Sequence, residues 1–361
     1  MDKLFGARSK NDGAWHNYRT ISTFSSTCNA GMSKLYGYLG LESSTNAYGC
    51  NGLTEVTDML FSVKYTISNK LLAESDLRSY YTGSDGEFIY RNNYVLPIGY
   101  AINEKSTLHM NLSSSNNGIE NQNILIQTMT GISDLFSFVD EFPTQSECTI
   151  TPSKSGHLYL TVENKTIDYI TVSINGSERS FGCSNLKNNN HIIDVGYVNA
   201  TDRVDVTADS GMNLTAYMLD TDKFIEAYNQ INSESYQVDS FTETDFKGTI
   251  SLSSDKTVLF SIPYDGGWSV YVDGKRVDTF MWKDSLLCAD IPAGEHTIEL
   301  KYIPCNLILG CVLTALSIII LIGIYISGRL IRKGTIKTDN WPVAVRKYLE
   351  LPVTASAADT D

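Results

Sequence analysis

Residues 264–304 read YDGGWSVYVDGKRVDTFMWKDSLLCADIPAGEHTIELKYIP, and in this stretch short β-prone runs alternate with turn-forming residues. Asp273 and Gly274 separate two of the runs, and this dipeptide favours the type I′ turn of a tight β-hairpin. The Pro-Ala-Gly sequence at 292–294 turns the chain again before a last run. The stretch therefore predicts consecutive antiparallel strands.

An apolar segment follows almost immediately. Residues 307–326 read LILGCVLTALSIIILIGIYI, which is twenty residues without a charge, and a helix needs ~20 apolar residues to cross a hydrocarbon core of ~30 Å. Four basic residues follow it closely, whereas Lys301 alone precedes it. Since the basic flank of a spanning helix stays in the cytoplasm, we expect a cell-membrane protein with residues 1–304 extracytoplasmic and a cytoplasmic tail.

Charge and cysteine content exclude several classes of function. The net charge is -13, and residues 329–361 carry six basic and four acidic groups, so the rest carries -15. Such a surface repels nucleic acid, and we expect no nucleic-acid partner.

The seven cysteines form no C-x-x-C pair, which argues against a zinc site, and we expect no metal or cofactor. The sequence does not decide whether Cys28 and Cys50 form a disulfide bridge.

Patterning along the chain predicts a mainly β fold with an α+β N-terminal part, tandem β-sandwich-like units and one transmembrane helix. Short β-prone runs recur from residue 147 to residue 302, bounded by Gly, Asn, Asp and Ser, as in sandwiches. A helix is expected at Leu53–Leu60, another within Leu125–Phe138 and a third at Phe224–Ser233. The predicted regions are 1–95 (mixed α/β), 96–146 (linker and helix), 147–224 (β-sandwich), 225–304 (smaller β-sandwich), 305–328 (transmembrane helix) and 329–361 (cytoplasmic tail).

The N-terminal residues, MDKLFGARSKNDGAWHNYR, contain no basic region followed by an apolar core, so they do not resemble an export signal. Exporting about three hundred residues ahead of one spanning helix ordinarily needs such a signal or earlier membrane segments. We therefore expect this chain to be part of a polytopic protein. Its partners would be the lipid bilayer and the remaining transmembrane body of the same or a partner protein.

No nucleophile elbow, zinc-protease motif, P-loop or dinucleotide fingerprint is present, so no catalytic residue is assigned. The best candidate for substrate binding is a polar aromatic segment, because tyrosine rings offer flat apolar faces while Arg and Asp bond hydroxyl groups. Packing of strand tyrosines between sheets is the alternative. A second aromatic group, Trp268, Tyr271 and Trp282, suits core packing, ligand binding or the membrane interface. The candidate binding residues are Arg78, Tyr80, Tyr81, Asp85, Tyr90 and Arg91.

Residues 264–304 with the apolar segment after them closely resemble the C-terminal end of the YfhO family of bacterial membrane proteins. The stretches LFSVKYTIS at 60–68 and NYVLPIGYAI at 93–102 resemble earlier pieces of that family. The resemblance spans most of residues 14–330 and is specific as a combination.

The resemblance implies a polytopic membrane protein with a glycosyltransferase body of the GT-C type. Such a body glycosylates cell-wall polymers such as teichoic acid, using a lipid-linked sugar donor. Its catalytic acid would lie in a part of the protein that this chain does not contain, so the chain itself is expected to be a non-catalytic ectodomain. Two alternatives are a single-pass carbohydrate-binding or scaffold protein, and a cytosolic domain with a C-terminal anchor.

Overall fold

The computed structural model describes residues 1–3, 10–68, 76–84, 86–102, 110–163, 166–182, 191–333, 335–336 and 341–348. The chain divides into two compact units, Met1–Tyr302 and Ile303–Asp361. The first is rich in β-structure and holds three hydrophobic cores, and the second contains one long apolar helix.

Local capping fixes several helices of the first unit. Thr54 and Thr57 form a reciprocal capping box at the start of one helix, and Asn117 and Glu120 form another. Gly131 ends the second of these helices at a φ of 81°, a conformation that glycine adopts without steric cost. The helices of this unit are α1 (Asp12–His16), α2 (Ala30–Tyr38), α3 (Glu55–Leu60), α4 (Gly118–Thr130) and α5 (Thr221–Asn232).

The N-terminal part contains two small sheets around a mixed core to which α2, α3, α4 and α5 contribute buried side chains. One sheet has the order β1–β5–β7–β6, with β7 paired antiparallel to both of its neighbours. The other has the order β2–β4–β3. Their strands are β1 (Asp2–Lys3), β2 (Thr23–Phe24), β3 (Ser43–Ser44), β4 (Ala47–Tyr48), β5 (Tyr65–Ser68), β6 (Arg78–Ser84) and β7 (Glu87–Asn92).

The middle of the chain forms a six-stranded sheet around two long paired strands. The amino-terminal half of β14 pairs with β11 and its carboxyl-terminal half with β10, while β9 runs along the other side of both halves. The sheet encloses an aliphatic core that includes Ile150, Leu160 and Leu214. Its strands are β9 (Phe136–Ile150), β10 (Gly156–Glu163), β11 (Tyr169–Ile174), β12 (Ser177–Gly182), β13 (His191–Val198) and β14 (Val204–Leu219).

Two facing sheets make up the last part of the first unit. The five-stranded sheet has the order β15–β16–β22–β18–β19, and the four-stranded sheet β20–β21–β17–β8. Asp273 and Gly274 have φ angles of 50° and 77°, as the predicted type I′ turn requires. The strands are β8 (Gly99–Ile102), β15 (Gln237–Phe241), β16 (Asp245–Leu252), β17 (Lys256–Pro263), β18 (Trp268–Val272), β19 (Lys275–Val277), β20 (Thr279–Trp282), β21 (Leu286–Ile291) and β22 (Gly294–Tyr302).

The mainly β fold is confirmed, but several elements differ from prediction. Helix α4 begins at Gly118 and ends at Thr130, so the expected helix over 125–138 was placed too late. Phe136 instead starts the long strand β9. Two predicted strands, DRVDVTAD and NLTAYMLD, are one continuous strand, β14.

The second unit contains α6 (Leu307–Arg332), the one helix among the described residues that is long and apolar enough to cross a membrane. None of its side chains is buried against protein. Its last turn carries Arg329 and Arg332, which suits the negative end of a helix dipole. A short helix, α7 (Val343–Tyr348), follows in the tail.

Candidate functional site

A pocket of about 470 Å³ lies in the first unit, and its lining combines basic and aromatic side chains. Its walls come from the segment after α1, the connection between α3 and β5, strand β7 and its following loop, α5, β15 and β16. We call it the basic–aromatic pocket. Its cations are Arg19, Lys64 and Arg91, and its aromatic residues are Tyr228, Tyr236, Phe241 and Phe246.

Arg19 is held against the aromatic wall by contacts far along the chain. Its Nη2 donates to the carbonyl oxygen of Thr242 at 3.0 Å and to the Glu243 carboxylate at 3.2 Å. The guanidinium carbon lies 4.2 Å from the ring centroid of Phe241 and 5.6 Å from that of Phe246. A cation over a ring at these distances is attracted by the ring quadrupole. These contacts pre-organise one cation of the pocket.

The other two cations lie on or next to the inner strands of the sheet β1–β5–β7–β6. Arg91 is exposed on β7, where it pairs in register with Tyr65 and Ser79. Lys64 precedes β5, and its Nζ lies 5.7 Å from the ring centroid of Tyr65. Among the described residues neither cation has an acidic partner within ion-pair distance.

The aromatic wall is partly exposed and partly anchored in the core. Phe241 is 59% exposed and stacks on Phe246 with ring centroids 6.2 Å apart. Tyr236 is buried, and its hydroxyl donates to the carbonyl oxygen of Ile298 at 3.1 Å. The wall therefore offers apolar ring faces on a rigid support.

The charge of the pocket is opposite to that of the chain. The chain carries a net charge of -13, yet the described lining has three cations and no Asp or Glu, and of these three Arg19 is paired with Glu243, outside the lining. Clustered charge in a concave site concentrates ligands of the opposite sign, and Arg matches the oxygens of phosphate or carboxylate in a bidentate manner. The pocket is therefore suited to a ligand that combines an anionic group with a flat apolar face.

Strand alternation separates the six residues that the sequence singled out. Arg91 lines the pocket. Tyr81 does not line it but contacts Tyr65, with ring centroids 5.3 Å apart, and Tyr65 lies next to the lining residue Lys64. Tyr80 contacts the buried Tyr90 in an edge-to-face arrangement at 6.0 Å. Asp85 lies outside the described residues.

Arg78 is the centre of a buried ionic cluster. Its side chain is 8% exposed, and its Nε lies 2.8 Å from Glu55 Oε1, in an approach without hydrogen-bond direction. Its Nη1 donates to Asp194 at 3.1 Å, and Asp58 lies 3.7 Å from Nη2. Asn92, which also lines the pocket, donates to Asp58 at 3.0 Å. The cluster thus joins α3, β6 and β7 to β13 of the middle sheet.

Burial changes the protonation behaviour of this cluster. Burial raises the pKa of Glu55, while Arg78 opposes that rise and Asp194 adds to it. Burial alone would lower the pKa of Arg78, but Glu55, Asp194 and the other neighbours hold it well above its usual range. Burial lowers the pKa of the nearby His157. Three carboxyl groups therefore share one guanidinium in a site with little water.

The residues of the second aromatic group lie in different environments. Trp282 is 2% exposed and belongs to the core, whereas Trp268 and Tyr271 are partly exposed. Within the described part of the chain, no three His, Cys, Asp or Glu residues are grouped to hold a metal ion, and the expectation of a metal-free site stays a prediction. The sequence pattern gave no sign of Arg19, Lys64 and Phe241, because only the tertiary fold brings them together.

The apolar helix and the β-rich unit with its pocket together define a membrane-anchored β-protein. A family model described as the bacterial membrane protein YfhO matches residues 1–314, which is most of the chain. The chain belongs to the YfhO family of bacterial membrane proteins.

Other comparisons add little. No curated protein matches the sequence significantly. The arabinofuranosyltransferase AftD from Mycobacteria is 10% identical over 40% of this chain and 12% of its own length, with a TM-score of 0.18. A cupin barrel protein from Leptotrichia buccalis is 11% identical over 45% of this chain and 80% of its own, with a TM-score of 0.16. These scores are too low to support an argument, and the chain spans only about an eighth of the arabinofuranosyltransferase.

Proposed function

We propose that this chain is the non-catalytic, extracytoplasmic portion of a membrane glycosyltransferase. The whole enzyme would transfer a sugar from a lipid-linked donor to a cell-wall polymer such as teichoic acid, and its catalytic body would lie outside this chain. Family membership and the membrane helix support this class of protein. Residues 1–304 are proposed to face outward because the basic residues follow the helix.

The basic–aromatic pocket is the observation that carries the proposal. A teichoic-acid-type polymer and a lipid-linked sugar both combine phosphate groups with apolar sugar faces. Lys64 and Arg91 would bind the phosphate oxygens, while Phe241 and Tyr81 would pack against sugar rings. The role of the pocket would be to hold the acceptor or the donor close to the catalytic body.

Binding of a phosphate polymer tests the proposal directly. The full chain in nanodiscs would be titrated with oligomeric glycerol phosphate and, separately, with a neutral oligosaccharide of similar length. We expect salt-sensitive binding of the phosphate oligomer, and a loss of about tenfold in affinity for Arg91→Gln or Lys64→Gln, since a hydrogen bond to a charged group contributes about 1.5–3 kcal/mol.

Lys275→Gln is the matched control, because Lys275 is an exposed lysine outside the pocket, next to the Asp273–Gly274 turn. It should leave affinity unchanged. Equal affinity of all four proteins would show that the pocket does not bind the polymer.

A single-pass carbohydrate-binding or scaffold protein is the second candidate. The exposed ring of Tyr81 against Tyr65, beside the pocket, favours it, because such a surface can hold a neutral sugar by its apolar face. Binding of the neutral oligosaccharide without salt dependence would favour this reading. An immunoblot of native membranes that shows a band near 40.0 kDa would do the same, whereas a much larger band would favour the transferase.

A further inference from the structure

Four aromatic side chains form a continuous row along the five-stranded sheet. Phe241 stacks on Phe246, Phe246 lies 6.2 Å from Trp268, and Trp268 lies 5.0 Å from Tyr302, measured between ring centroids. Phe241 is 59% exposed, and the other three are partly exposed. We call this row the aromatic edge.

The register places all four rings at one end of the sheet. Trp268, the first residue of β18, pairs with Tyr302, the last residue of β22. Phe246 pairs with Leu300 on one side and with Phe241, the last residue of β15, on the other. The aromatic edge is therefore the end at which the chain leaves the sheet.

Charged residues lie at the same end of the sheet in nearly balanced numbers. Lys247, Glu299 and Lys301 alternate with the ring-bearing positions along their strands and therefore lie on the opposite face of the sheet. Lys247 and Lys301 both pair with Glu299, at 3.1 and 2.8 Å. Arg19 pairs with Glu243 at 3.2 Å while it covers the ring of Phe241. Aromatic rings mixed with Lys and Arg are typical of protein surfaces at the level of lipid headgroups.

The short connection to the apolar helix limits how far this end of the sheet can lie from the bilayer. Residues 303–306 alone separate Tyr302 from Leu307, the first residue of the apolar helix. Five Cα–Cα steps span at most about 18 Å. Insertion of that helix in a bilayer therefore keeps Tyr302 within about 18 Å of the point where the helix begins, an upper limit that includes the headgroup layer of about 5–8 Å.

We propose that the aromatic edge docks on the interfacial region of the bilayer that contains the helix of the same chain. Trp268 and Tyr302 would lie at headgroup depth. Because the charges at this edge are nearly balanced, docking would depend on the rings and not on anionic lipid. Phe241 and Phe246 also line the basic–aromatic pocket, but the docking is tested at Trp268, which does not line it, so the test does not depend on the ligand of the pocket.

Depth-selective fluorescence quenching tests this docking in the full chain. Trp15→Phe and Trp341→Phe would leave Trp268 and the buried Trp282 as the fluorophores. This protein would be placed in nanodiscs of phosphatidylcholine brominated either near the headgroup or deep in the acyl chain. We expect headgroup-side bromines to quench more fluorescence than deep bromines, and a further Trp268→Phe change to abolish the difference.

A control tryptophan belongs at the opposite end of the same sheet. Ser254 is exposed in the turn after β16, and the six steps from Phe246 to Leu252, the last residue of that strand, span about 20 Å. In the background without Trp268, Ser254→Trp should restore fluorescence that neither brominated lipid quenches.

Three outcomes would overturn the proposal: absence of headgroup-side quenching of Trp268, equal quenching of the tryptophan introduced by Ser254→Trp, or quenching only when anionic lipid is added. Thermal unfolding of each variant would show that the β-unit remains folded, so that a loss of quenching reports position and not unfolding.

Discussion

At the scale of single residues, Arg78 shows how a strand decides the role of a side chain. The sequence placed it beside Tyr80 and Tyr81 as a ligand-binding residue, but it points inward from β6 and meets Glu55, Asp58 and Asp194. Arg91 on the neighbouring strand is exposed and lines the pocket. Two arginines of one sequence segment thus occupy opposite environments.

Replacement of Arg78 tests its structural role. Arg78→Ala would leave buried carboxylates without a counter-charge, and the loss of one partner of a buried ion pair costs about 3–5 kcal/mol of unfolding free energy. We expect a clearly lower midpoint of thermal unfolding for the β-unit. Arg91→Ala should shift stability by no more than about 0.5 kcal/mol, as exposed substitutions do. Equal effects of the two changes would contradict the burial argument.

Glu55 gives the cluster a pH dependence with a defined sign. Burial raises the pKa of Glu55, so the folded state holds its proton more tightly than the unfolded state. The stability from this group is fully present below the unfolded value of about 4.3 and is lost as pH rises through the higher folded value.

Glu55→Gln mimics the protonated form at every pH. Relative to the wild type, its unfolding midpoint should therefore improve as pH rises from about 4 towards 8. Thermal unfolding across this range would measure the difference. Glu178→Gln, at an exposed position, should follow the wild type throughout. A Glu55→Gln variant whose relative stability falls with rising pH would show that Glu55 is ionised in the fold.

At the scale of elements, helix α2 and the turn between β20 and β21 meet without space for a side chain. A Cβ atom added to Gly31 would lie 1.7 Å from the carbonyl oxygen of Asp284. Lys283 and Asp284 have φ angles of 49° and 56°, and Lys283 donates to the carbonyl oxygen of Met110. The turn is therefore fixed on both sides and cannot move away easily.

Gly31→Ala should consequently destabilise the β-unit by about 1–3 kcal/mol, the usual cost of overpacking, and differential scanning calorimetry would measure it. Gly182→Ala is the matched control, because among the described residues its added Cβ would meet Tyr169 alone, at an ordinary distance of 3.9 Å. An unchanged transition for Gly31→Ala would mean that α2 and the turn separate without cost.

Elements that turn or capping residues specify were predictable from the sequence. Elements whose bounds depend on pairing with distant strands were not. The Asp273–Gly274 hairpin and helix α3 lie where turn chemistry and capping residues indicate. Strand β14 was predicted as two strands, because Asp209 and Gly211 resemble a turn, yet its two halves pair with different neighbours on one side and share β9 on the other. Such pairing leaves no trace in local sequence.

At the scale of the whole molecule, the fold class was predictable but the pocket was not. Alternating β-prone runs and one apolar segment specify a β-rich membrane protein through composition and periodicity. The pocket cations Arg19, Lys64 and Arg91 are separated by 45 and 27 positions, and each is an ordinary surface residue in its own segment. The proposed ligand site therefore depends on an arrangement that only the folded chain reveals.

Membrane topology is the whole-molecule property on which the proposed function depends most. Native thiols report it poorly, since Cys148 is buried and burial raises its pKa to about 11. Two introduced thiols are better placed: Lys275→Cys, exposed next to the Asp273–Gly274 turn, and Lys333→Cys at the end of α6. Both are combined with Cys305→Ser and Cys311→Ser, which remove the two cysteines that are exposed among the described residues.

Because the basic residues follow the helix, an impermeant maleimide added to intact cells should label the Lys275→Cys protein and leave the Lys333→Cys protein unlabelled until the membrane is permeabilised. The protein that carries only Cys305→Ser and Cys311→Ser would measure the background labelling of the remaining thiols. The reverse pattern would place the β-unit in the cytoplasm, where it could not meet a cell-wall polymer, and the transferase proposal would fail even if the pocket bound phosphate in vitro.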